Sequence, residues 1–101
     1  MQVKRNAIVA RGVEEAYGFI HDIVEVQYHG HPDLQQVVVP VEEVRLLLNE
    51  VGKGQQWDYA TIIRKTAERL RKDYRRVSIG YSGMHGNPRL TERVIVVMVD
   101  D

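Results

Sequence analysis

Seven cations crowd into one stretch of this 101-residue chain: Arg64, Lys65, Arg69, Arg71, Lys72, Arg75 and Arg76, on a face that also carries Glu68. Arg keeps its charge at every physiological pH and offers a planar fork of donors, so such a set suits phosphate or another anion. A second group lies in Ser82–Glu92. There Gly83 and Gly86 would let backbone approach a ligand, while His85, Asn87 and Arg89 supply polar groups. Arg89 belongs to both sets, as a cation beside the basic stretch and as a member of the candidate ligand loop.

Catalytic patterns are weaker. Gly80-Tyr81-Ser82-Gly83-Met84 lacks the final glycine of a nucleophile elbow. Gly83-Met84-His85-Gly86 spells the loop of a KH domain, but between two strands it lacks that loop's setting. Gly52-Lys53-Gly54 has neither the spacing nor the Ser/Thr of a phosphate loop. Glu14-Glu15 and Glu42-Glu43 diverge by about 100° on helices, so neither pair converges on a substrate. His29 and His31, with Asp33 or His85, are residue types that bind zinc, yet no second spaced pair completes a template. No catalytic residue, metal or cofactor is assigned.

The basic stretch needs a helix to present it. Tyr59, Ala60, Ile62, Ile63, Thr66, Ala67, Leu70 and Tyr74 fall within one arc at about 100° per residue, which predicts an amphipathic helix over Asp58–Arg76. Asp58 is its N-cap, and the cations suit its negative end. Trp57 precedes the cap, placed to pack on Ile62 or Ile63. Upstream, Val41, Val44, Leu47, Leu48 and Val51 predict a helix over 41–51, begun by Pro40 and closed by Gly52, with Leu46 left exposed.

Strands are expected at 2–10, 23–29, 36–39, 77–81 and 93–99, with a short helix or turn at 13–22 and a turn at 29–33. Val94 to Val99 is apolar without alternation, as in a central strand covered on both faces or a strand buried at an oligomer interface. The predicted fold is a single α+β domain: a mainly antiparallel sheet of four or five strands with two helices on one face.

Composition bounds the rest. The chain has 44% apolar and 28% charged residues, ordinary globular values, and no cysteine, which excludes disulfides and thiolate chemistry. No run of about 18 apolar residues is present, so no membrane span is expected, and the reading places the protein in the cytoplasm. Net charge is zero but polarised. Residues 1–50 hold four Lys/Arg against eight Asp/Glu, a net −4, and residues 51–101 hold ten against six, a net +4.

From Val41 to Val99 the order helix, Gly-containing turn, basic helix, strand, loop, strand resembles the second half of a winged helix domain. That resemblance implies that Arg64, Lys65, Arg71, Lys72 and Arg75 meet phosphates or base edges and that Arg89 sits on the wing. Three functions follow. The first is a non-catalytic interaction module that forms a homo-oligomer or binds a protein partner, using the 93–99 strand, the polarised halves and Leu46. The second is a nucleic-acid-binding module using the basic helix. The third is a protein that binds an anionic ligand or nucleotide, or acts on one, through the 82–92 loop.

Overall fold

The structure is a computed structural model that describes the backbone of residues 2–84 and 87–99 and the side chains of 6–81 and 92–99. Its elements run α1 (Gln2–Gly30), β1 (Gln36–Pro40), α2 (Val41–Val51), α3 (Tyr59–Leu70), β2 (Arg76–Met84) and β3 (Asn87–Met98). The strands form one antiparallel sheet in the order β1-β3-β2. Among the described residues the fold is therefore α+β with three helices and three strands, which corrects the expected four- or five-stranded sheet with two helices.

The correction lies in α1. Residues expected as a strand, a short helix or turn, and another strand form one helix of 29 residues. Val9, Gly12, Ala16, Ile20 and Val24 are buried, a spacing of three and four that keeps them on one face. The alternation of Val24, Val26 and Tyr28 that suggests a strand does not reflect burial, because Val26 is 72% exposed. Gly12 permits close approach to α3. A Cβ there would lie 2.5 Å from Ile62 Cδ1 and 3.2 Å from Trp57 Cζ3.

α2 begins and ends near the expected places, and α3 begins where Asp58 predicts but stops at Leu70, short of the expected Arg76. Pro40 closes β1 and stands at the N-cap of α2 without a side-chain cap bond. Asp58 caps α3: its carboxylate accepts from Thr61 N at 3.2 Å and from Thr61 Oγ1 at 2.8 Å. Such a cap contributes about 1 kcal/mol. Trp57 is buried, and its indole N–H donates at 3.0 Å to Leu48 O, a carbonyl at the end of α2 that also accepts from Gly52 N. The indole also lies against Gly52, where a Cβ would come within 2.6 Å of the ring.

All three helices contribute to one core that covers the sheet face bearing Val37, Val39, Val77, Ile95 and Val97. Ladder partners Val37, Val97 and Val77 lie in one row across the sheet. The next row, Val38, Val96 and Ser78, points to the other face, where Val38 is 42% exposed. β3 is central, as expected. It is not covered on both faces, since Val96 and Met98 are only half-buried.

Candidate nucleic-acid interface

The basic stretch is not one helix face. α3 ends at Leu70, and the backbone N–H groups of Lys72, Asp73 and Tyr74 turn back onto Arg69 O and Leu70 O at 2.8–3.1 Å. Arg71 to Arg75 therefore lie in a turn, and Arg76 opens β2 opposite Met98. The expected helix over the whole 58–76 stretch is corrected accordingly. The turn brings Tyr74 back against α1, where it is half-buried.

The cations divide into three environments. Arg64 and Lys65 are exposed on the outward face of α3, with Lys72 exposed just past its end. The buried residues of α3, Ile62, Ile63, Thr66, Ala67 and Leu70, hold the opposite face. Glu68 lies on the outward side, one turn beyond Arg64, but neither Arg64 nor Lys65 makes an ion pair with it. Among the described residues these three cations have no carboxylate partner.

Arg69 has a different setting. It pairs with Glu14 of α1, and its guanidinium lies 4.1 Å from the centroid of Tyr17. Polar and aromatic contacts continue along this seam. Tyr17 donates to Asp73 and stacks on His21 at 5.6 Å, His21 lies 6.2 Å from Tyr74, and the Tyr74 hydroxyl donates to Glu25 at 3.4 Å. The hydrogen bond to Asp73 raises the Tyr17 pKa above its ordinary value. Burial, helped by the nearby Glu25 charge, pushes the Tyr74 phenol up to about 12. Arg69 is thus a structural cation and leaves the anion-binding set.

The third group is Arg71, Arg75 and Arg76, exposed around the turn between α3 and β2. Arg71 Nε donates to Val77 O at 3.0 Å, which fixes the plane of its guanidinium. The side chain of Arg89 lies outside the described residues, as does that of Asn87, and His85 lies outside them entirely. The expected long 82–92 loop is largely strand: β2 runs to Met84 and β3 starts at Asn87, with a register shift between Gly83 and Met84.

Two arginines absent from the sequence-derived set lie at the other end of α3. Arg45 and Arg93, with Glu42, Tyr59 and Glu92, line a cavity of about 540 Å3. Arg45 packs 4.8 Å from the Tyr59 ring centroid and 3.7 Å from Glu42. The i, i+3 pair Glu42/Arg45 was the available sequence signal for this corner, and its mixed charge makes it no anion site. His29 and His31 are exposed around the end of α1, and among the described residues no three His, Asp or Glu converge as a metal would need.

Comparison with protein-family models, curated proteins and solved structures finds no match. No described helix is long and apolar enough to cross a membrane. An outward cationic ridge stands on a capped helix, backed by a seam that engages Arg69, the arginine of α3 that faces α1.

Proposed function

We propose that the chain is a double-stranded DNA-binding module that lays the outward face of α3 against the duplex. The observation that carries this reading is the state of Arg64, Lys65 and Lys72, exposed and without a carboxylate partner among the described residues. Element order supports it as well. A winged helix domain opens with a helix, and α1 occupies that place, so the resemblance extends from the Val41–Val99 segment to the start of the chain. At 12 residues α3 is about 18 Å long, and a helix of ordinary diameter enters a major groove about 12 Å wide.

The residues divide the work by charge. Arg64, Lys65 and Lys72 neutralise backbone phosphates. Glu68 repels the backbone and accepts only from a donor such as the N4 amine of cytosine, so it sets base preference at the groove floor. Fluorescence polarisation of a labelled duplex, titrated with the chain at several salt concentrations, tests the reading. Affinity should fall steeply between about 50 and 200 mM salt, by a slope of roughly 0.9 per phosphate neutralised. Absence of salt-dependent binding to any duplex at low salt removes the reading.

Self-association is a second reading, favoured by one observation. The sheet face opposite the core presents Val38, Val96 and Met98 with no layer over them among the described residues. A second copy of this chain would cover that face. Sedimentation showing a monomer at high concentration excludes it.

A further inference from the structure

Where α3 gives way to β2, a cavity of about 510 Å3 is lined by Arg71, Arg75, Arg76, Val77, Ser78 and Met98. Among the described residues its lining has three arginines and no carboxylate. Like charges this close in sequence repel one another unless something anionic lies between them. The simplest structural use for cations at the end of a helix is to cap its carbonyls. For three of the last four carbonyls that use is already filled. Ala67 O, Arg69 O and Leu70 O accept from the backbone N–H groups of Arg71, Lys72, Asp73 and Tyr74.

Arg71 instead reaches away from the helix end to Val77 O of β2, which pins one edge of its fork. The remaining donors of a pinned guanidinium are pre-organised for a planar or tetrahedral oxyanion. The nearest acid in the turn, Asp73, is engaged by the Tyr17 hydroxyl of α1. Arg76 and Ser78 alternate on one face of β2, and Arg76 lies opposite Met98 on β3. The recess therefore has a cationic rim, a hydroxyl donor and one apolar surface.

We propose that this recess binds a phosphate group. Arg71 is the fixed fork, Arg75 and Arg76 supply flanking charge, Ser78 donates its hydroxyl, and Met98 packs against the carbon portion of the ester. The site stands at the C-terminal end of α3 and does not rest on the duplex reading. A free phosphate ester and a phosphate of a nucleic-acid backbone share this chemistry.

Guanidinium Nε–H resonances of the full chain, followed by NMR, test the site. The probes are sodium phosphate, adenosine monophosphate and a short DNA duplex, each against sodium chloride at matched ionic strength. Saturable shifts are expected at Arg71, Arg75 and Arg76, and the exposed double substitution Arg75→Gln with Arg76→Gln should weaken them about tenfold. Arg64→Gln with Lys65→Gln should leave the sodium phosphate titration unchanged, which separates failure of this site from failure of the α3 reading. Saturation by the mononucleotide as well as the duplex assigns a free ester; saturation by the duplex and not the mononucleotide assigns the nucleic-acid backbone. Shifts matched by chloride, no saturable shift with any probe, or a double variant that titrates like the parent overturns the proposal.

Discussion

Arg64 and Arg69 sit on the same twelve-residue helix and are the same residue type, yet one is open and the other is spent. The difference is what stands across from each. Arg69 faces α1, where Glu14 supplies a carboxylate and Tyr17 a ring face. Arg64 faces outward, and among the described residues no acid reaches it. A cation's availability is thus set by the neighbouring element, which a helical wheel of α3 alone does not contain.

The comparison breaks most severely if the packing beneath both arginines is removed. Ile62 is fully buried and touches the place where Gly12 brings α1 against α3. Ile62→Ala should cost roughly 2–5 kcal/mol by urea unfolding, since a cavity opens between two helices that cannot close onto each other freely. A loss below about 1 kcal/mol would mean that α1 does not pack there.

Next in size is the contrast itself. Arg69→Ala removes an exposed ion pair and a ring contact and should cost roughly 0.5–1.5 kcal/mol, whereas Arg64→Ala should stay within about 0.5 kcal/mol of the parent. Equal effects on stability would erase the distinction between seam and ridge. A smaller effect of opposite sign sharpens the account of α1. A Cβ at Gly18 meets nothing within 4 Å, so Gly18→Ala should stabilise by roughly 0.5–1 kcal/mol if residues 13–22 are helical throughout. Thermal melting reads this directly.

The smallest effect is read at high pH. Tyr74 titrates at about 12 in the fold against an ordinary 10.0, because burial beside Glu25 favours the neutral phenol. Its contribution is whole below the unfolded pKa and is lost as pH rises through the folded one, a window of about pH 10 to 12. Tyr74→Phe should flatten the stability profile in that window, and tyrosinate absorbance should show one phenol fewer titrating late.

The bounds of α2 and the start of α3 were legible in the sequence, for local reasons. Pro40, the Val41/Val44/Leu48 stripe and Gly52 bound α2 closely, and Asp58 marks the start of α3, because caps and apolar periodicity are short-range signals. α1 was legible only in its middle, where Ala16, Ile20 and Val24 recur at helical spacing. The Val24, Val26, Tyr28 alternation imitates a strand, Gly12 and Gly18 imitate chain breaks, and the contacts through Glu14, Tyr17, His21 and Glu25 are polar and leave no apolar pattern. The strand ends at 82–84 and 87–92 were hidden for a related reason: ladder pairing holds β2 and β3 together beyond the core, where apolar residues are not required. In the site, the cations were visible as a set. Their division was not, because the carboxylate that takes Arg69 lies 55 residues away in the chain.

The most direct measurement is the salt dependence of duplex affinity for the parent, for Arg64→Gln with Lys65→Gln, and for Arg69→Gln. The ridge pair should lower the slope of log K against log salt by roughly 2, about 0.9 for each phosphate that is no longer neutralised. Arg69→Gln should leave that slope unchanged. Equal slopes for all three proteins, or a loss confined to Arg69→Gln, would contradict the assignment of the outward face of α3 as the surface that meets DNA.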